Sequence, residues 1–140
     1  MNILFIGDIC GSIGINYLIE KINFLKQRYQ INIVVANAEN AAEGQGLDFQ
    51  SFYNLKISGV NMITMGNHTW KNHDLKSFIE HTNIIRPLND DSLHIGYGHK
   101  IIKYKDKKLL IMNALGRVFM NNNTAHRILF QNNLQSYKDQ

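Results

Sequence analysis

Short apolar runs alternate with longer amphipathic stretches through the first part of the chain. Residues 3–6 form an apolar run closed by Gly7 and Asp8, the pattern of a buried strand entering a loop. Across residues 15–29, Leu18, Ile22 and Leu25 recur on one helical face, while Glu20, Lys21, Lys26 and Arg28 fall largely on the other. Residues 31–36 are β-branched and apolar on both faces, as a central strand of a parallel sheet requires. A glycine-containing loop leads to a helix over residues 48–58, with Asp48 as N-cap and Gly59 as its stop. Residues 60–65 predict a third strand and residues 72–81 another short helix, followed by Ile84, Ile85 and the only proline, Pro87. Strands alternating with helices at this spacing predict right-handed βαβ units and a layered α/β fold.

Beyond Pro87 the pattern changes. Residues 93–97, 100–104 and 108–113 predict shorter strands, the last two joined by a turn at Lys105-Asp106-Lys107. The basic cluster over residues 103–108 reads as a phosphate-binding patch or as a solvated hairpin tip, and its position at a turn favours the tip. A polar stretch with three consecutive Asn precedes a weakly amphipathic segment over residues 125–137. With no internal repeat and no linker, residues 1–140 read as a single domain.

Composition narrows the class. The 140 residues include 15 Lys+Arg and 11 Asp+Glu, a net charge of +4, too small an excess to signal nucleic-acid binding. Hydrophobic residues at 44% suit a globular core, and charged residues at 19% are too few for a disordered tail. One cysteine excludes a disulfide framework and a Cys-based zinc site. No apolar run approaches the roughly 20 residues of a membrane span, and the N-terminus lacks the basic start of a signal peptide. A soluble, cytoplasmic protein is the expectation.

The chemistry-bearing residues cluster at strand ends. Asp8 follows the first strand, Glu39 and Asn40 the second, and Asn67 and His68 the third. Neighbouring strands of an open parallel sheet bring their carboxyl ends to one edge, where ligands bind. Two carboxylates, two amides and an imidazole are a donor set for a hard to borderline divalent metal. A carboxylate such as Glu39 can bridge two ions about 3.5–4 Å apart, the arrangement used in phosphoester hydrolysis. Singly, each group has a plainer reading: Asp8 as a turn or cap residue, Glu39-Asn40 as a capped loop, and Asn67-His68 as a turn with its imidazole on backbone. Their joint placement favours a metal or phosphate site.

Gly7-Asp8, Asn37-Ala38-Glu39-Asn40-Ala41-Ala42 with Gly44 and Gly46, and Thr64-Met65-Gly66-Asn67-His68-Thr69-Trp70 together resemble the YmdB-type branch of the calcineurin-like metallophosphoesterases. Arg86-Pro87 and Leu115-Gly116-Arg117-Val118-Phe119 are similar to later signatures of that branch. The resemblance implies the N-terminal part of a layered α/β/β/α sandwich. It also implies two divalent metal ions, iron or manganese, and hydrolysis of phosphodiesters such as 2′,3′-cyclic nucleotides. By the same resemblance Asp8 and Asn40 would bind one metal, Glu39 would bridge both, Asn67 would bind the second, and His68 would be the catalytic acid.

Two departures matter. The superfamily's Asp-x-His motif has Cys10 at its third position here, and the YmdB-like branch uses the Asn at Asn40 instead. Cys10 reads as a small buried side chain or, less simply, a soft metal ligand. Family members also supply three histidine ligands from a second half, and the chain reaches Gln140 before such motifs. His73, His81, His94, His99 and His126 lack paired ligand spacing and read as surface or packing residues. Without that half the fold is expected to lose its second sheet, leaving an edge and an apolar face uncovered. A non-catalytic remnant binding metal or nucleotide weakly is the alternative function, and the uncovered surface leaves room for a homo-oligomer. A nucleotide-binding module of another kind is disfavoured, since no Gly-x-Gly-x-x-Gly follows the first strand.

Overall fold

The computed structural model describes residues 1–90 and 92–116. The segment expected over residues 125–137, the end of the Leu115–Phe119 signature and His126 lie outside the described residues.

Four parallel strands form the main sheet in the order β1 (Ile3–Ile6), β2 (Ile33–Asn37), β3 (Met62–Thr64), β4 (Ile84–Ile85). Strand alternation sends Val34, Ala36, Ile63 and Ile84 to one face. There they meet Ile15, Leu18 and Ile22 of α1 (Gly11–Arg28) and Phe52 and Leu55 of α2 (Phe49–Ser58). Burying each large aliphatic side chain contributes about 1.5–3 kcal/mol, so this helix-covered face holds much of the core. The boundaries of α2 follow from its ends. Asp48 accepts the Ser51 amide at 2.7 Å, and Gly59 closes the helix in the left-handed region at φ 107°.

Ile33, Val35, Met62 and Ile85 line the opposite face and pack against Ile102, Tyr104, Leu109 and Ile111. Those four belong to an antiparallel hairpin, β5 (His99–Tyr104) and β6 (Lys107–Met112). The second sheet expected to be missing is therefore begun, and it covers the face beneath β2, β3 and β4. Among the described residues β1 pairs only with β2, and its Ile3 and Phe5 are 43% and 61% exposed. The hairpin tip from Lys105 to Lys108 is solvent-exposed, as its charges required. No helix among the described residues is long and apolar enough to cross a membrane.

Three boundaries differ from expectation. The first helix starts at Gly11, four residues early, because the loop after β1 turns directly into it. The helix expected over residues 72–81 is one turn, α3 (Leu75–Phe78), followed by a 3₁₀ turn at Ile79–His81, and Phe78 leaves helical geometry at φ −131°. Residues 93–97 form no strand, and only Tyr97 bridges to Ile85. Gly96 sits at φ +73°, and a side chain at Gly98 would strike Leu88. The chain thus passes too close to its neighbours for a regular ladder.

Candidate metal centre

The parallel pairing of β1 and β2 continues past both strands. Ile9 donates to the Asn37 carbonyl at 3.0 Å, Cys10 pairs with Asn40, and Gly11 donates to the Asn40 carbonyl at 2.9 Å. This zips two loops together and sets Asp8 beside Asn40. Asp8 itself lies in the left-handed region at φ 48°, which aspartate tolerates better than most residues but which costs about 1–2 kcal/mol. The loop after β2 folds back on itself. Gly46 donates to the Glu39 carbonyl at 2.6 Å, Gly44 to the Asn40 carbonyl at 3.1 Å, and Ala38 to Thr64 of β3 at 3.0 Å. After β3 the chain turns at once, with the Thr69 amide and hydroxyl both donating to the Gly66 carbonyl at 3.1 and 2.5 Å. Thr69 is fully buried, so this turn is rigidly seated.

These loops join four of the five expected residues. Asn40 Nδ2 donates to Asp8 Oδ1 at 2.7 Å, and Asn40 Oδ1 lies 2.6 Å from His68 Nδ1. An amide whose NH2 faces a carboxylate presents its carbonyl on the other side, so His68 Nδ1 is assigned the proton. His68 Nε2 is then the ring nitrogen that carries no proton in the neutral tautomer. The Glu39 carboxylate accepts the His68 amide at 3.2 Å through Oε2 and Asn37 Nδ2 at 3.4 Å through Oε1. Asn67 is exposed on the same turn, placed by its neighbours Gly66 and His68. Among the described residues its side chain makes no hydrogen bond.

A groove of about 450 Å³ opens at this edge, with Asp8, Asn37, Glu39 and Thr64 on one wall and Ile111 to Asn113 on the other. A hollow of about 250 Å³ at the far end of β3, between Phe52, Lys56 and Asn83, lies away from all of these groups. The oxygen-rich donors with one imidazole suit a hard to borderline divalent cation. Among the described residues there is no group of three or more His, Cys, Asp or Glu placed to hold a metal. Cys10 is exposed, contrary to the buried position expected, because it caps α1 where the chain leaves the sheet edge. Arg86 is occupied structurally, donating to the carbonyls of Ile95, Pro87 and Asp90. His73, His81 and His94 are not buried, as read from the sequence. Burial lowers the pKa of the half-buried His99 below its ordinary value.

The chain has relatives in both sequence and fold. The family model described as YmdB-like protein matches residues 4–139. The chain belongs to the YmdB-like family. Over 121 residues, 86% of this chain, it is 40% identical to the 2′,3′-cyclic-nucleotide 2′-phosphodiesterase of Bacillus subtilis (strain 168), covering 46% of that protein. Its fold is similar to a crystal structure of a hypothetical protein from Thermus thermophilus, at 31% identity and TM-score 0.90, over 96% of this chain and 53% of that one. It is also similar to a crystal structure described as a novel phosphatase from Mycoplasma pneumoniae, at 35% identity and TM-score 0.83, over 95% and 50% of the two chains. The chain thus spans about half the length of the relatives it matches.

Sequence reasoning passed over two residues at this edge of the YmdB-like chain. Asn37 donates to the Glu39 carboxylate, and Asn113 donates to the Met65 carbonyl at 2.6 Å. Gly66, whose lack of a side chain was read as permitting close approach, lies against that carboxylate. An Asn two residues before a Glu at a strand end is an Asx-turn signal that could have pointed to the first. The second depends on how the hairpin docks, which no local pattern encodes.

Proposed function

We propose that this chain carries the first part of a dinuclear-metal phosphodiesterase site acting on phosphodiesters such as 2′,3′-cyclic nucleotides. The observation that supports it most is the convergence of Asp8, Glu39, Asn40 and His68 at one edge of a parallel sheet. In this reading Asp8 and Asn40 would hold one ion, Glu39 would be shared by both, and Asn67 would belong to the second. The ions, iron or manganese, would supply Lewis-acid polarisation of the phosphoryl group and an acidified water. Asn40 accepts from His68 Nδ1–H and keeps the ring oriented, so that in its imidazolium form His68 would give the Nε2 proton to the leaving oxygen, or hydrogen-bond the phosphoryl group, and return to the neutral Nδ1–H form. The name of the Bacillus subtilis relative supports the substrate class. The remaining ligands, and the rest of a layered α/β/β/α sandwich, would come from a second half such as its relatives' greater length provides.

One observation favours a second reading. The scarcity of clustered carboxylates and imidazoles among the described residues suits a protein that binds one metal or a nucleotide weakly without turnover. Metal analysis after purification with Mn²⁺ or Fe²⁺, joined to a 2′,3′-cyclic nucleotide hydrolysis assay, separates the two. The enzyme reading expects two ions per site, and a loss of about 10²–10⁴ in turnover for His68→Ala. Glu39→Ala should abolish turnover together with the second ion. One weakly held ion or none, with no hydrolysis, overturns the catalytic reading for this chain.

A further inference from the structure

We infer that Asn37 and Gly66 are positioning residues that seat the Glu39 carboxylate with one acceptor position on each oxygen left for a cation. The inference rests on the reading of Glu39 as a bridging ligand and adds how the fold holds it in that attitude.

Gly66 provides the floor of the seat. A Cβ built there would collide with Oε1, Cδ and Oε2 of the Glu39 carboxylate. Its φ lies outside the left-handed region, so the turn itself would accept alanine. The three atoms nearest that Cβ all belong to the Glu39 carboxylate, whereas at Gly98 and Gly46 they include backbone atoms. Asn37 provides one side. Its Nδ2 donates to Glu39 Oε1 at 3.4 Å, and its Oδ1 accepts the Glu39 amide at 3.4 Å, so one amide spans both ends of the glutamate. The His68 amide provides the other side, donating to Oε2 at 3.2 Å.

Each carboxylate oxygen therefore takes one protein donor. An ionised carboxylate has about four acceptor positions over its two oxygens, which leaves capacity on both for an ion apiece. A glutamate is otherwise among the more mobile side chains, and fixing it costs rotamer entropy. The seat removes that cost before any ion arrives, which is how supporting residues tune metal affinity. Asn37 and Glu39 share the wall of the same groove, and Gly66, two residues past the end of β3, lies against the Glu39 carboxylate.

The test compares the 140-residue protein with its Gly66→Ala and Asn37→Ser variants, and with Gly116→Ala, where a Cβ would meet nothing within 4 Å. Serine keeps a turn-forming acceptor for the Glu39 amide but is too short to reach Oε1. Hydrogen exchange at the His68 amide is followed by NMR in metal-free protein, alongside titration with Mn²⁺ read by EPR. The expected result is faster exchange at His68 in Gly66→Ala, with α1 amides unchanged. Both seat variants should bind Mn²⁺ about 10–100-fold more weakly and lose the spin-coupled pair signal, while Gly116→Ala matches the parent. Parent-like protection of the His68 amide in Gly66→Ala overturns the seat, as does a retained coupled Mn²⁺ pair in both seat variants. If the parent itself binds no coupled pair, the bridging role falls for this chain taken alone, and the His68 exchange still decides whether Gly66 holds the carboxylate. If Gly66→Ala fails to fold, the Mn²⁺ titration of Asn37→Ser decides, with unchanged affinity overturning the inference.

Discussion

At the scale of single residues, Asn40 is the link on which the candidate site turns. Its NH2 faces Asp8 and its carbonyl faces His68, so one amide sets both the spacing of a carboxylate and the tautomer of an imidazole. Replacing it with aspartate keeps the size but places two carboxylates within hydrogen-bond distance and removes the donor. Like charges that close disfavour the fully ionised pair. Asn40→Asp should therefore melt lower than the parent in the presence of a chelator, by about 3–5 °C for each kcal/mol of repulsion. Mn²⁺ should restore more of its stability than it adds to the parent, because a bound cation turns the repulsion into ligation. Thermal melts of both proteins with EDTA and with Mn²⁺ measure the difference, and equal metal-induced shifts would contradict this account.

At the scale of elements, the docking of the hairpin is what shapes the groove. Asn113 ends that hairpin. Its side chain donates to the Met65 carbonyl at 2.6 Å, its carbonyl accepts Leu88, and its amide donates to Gly98. Asn113→Ala leaves a half-buried carbonyl at the end of β3 without this donor, a loss of about 1–3 kcal/mol. It should lower the urea midpoint while the slope stays constant. His99 opens β5, and its burial lowers its pKa from 6.5. Below that value the unfolded chain binds more protons than the folded one, so this residue makes stability fall as pH drops below about 6.5. His99→Asn should flatten that part of the stability–pH curve, as denaturation at several pH values would show.

The same elements show what could be read in advance. The first three parallel strands, α2 with its Asp48 cap and Gly59 stop, and the hairpin tip were legible because each rests on local periodicity or turn chemistry, whereas the two residues of β4 are too few to show a period. Four of the five site residues come together because strand ends of a parallel sheet share an edge, a consequence of topology alone. The extra ladder through Cys10 and Asn40, the seat under Glu39 and the passage of Gly98 against Leu88 were not legible. Each depends on how distant segments meet, and Cys10 was misplaced for that reason.

At the scale of the whole molecule, the sheet is finished on one side and open on the other. The hairpin and helices cover β2, β3 and β4, but β1 has β2 as its only neighbour among the described residues and leaves Ile3 and Phe5 exposed. An apolar edge strand is a template for pairing with another polypeptide. Beside it runs a largely apolar groove of about 430 Å³ between β1 and α1, reached by Ile13 and Tyr17. Phe5 is already exposed in the folded chain, so covering it by association removes apolar surface from water at no cost to the fold. The 140-residue protein should therefore show concentration-dependent self-association in sedimentation experiments, and Phe5→Lys should reduce it. Because Phe5 contributes little to the core, that variant should keep its melting temperature within a few degrees, consistent with the roughly ±0.5 kcal/mol of ordinary surface changes. A variant that sediments as the parent does would place any association elsewhere than at β1, and a large loss of stability would mean that Phe5 supports the fold more than its exposure indicates.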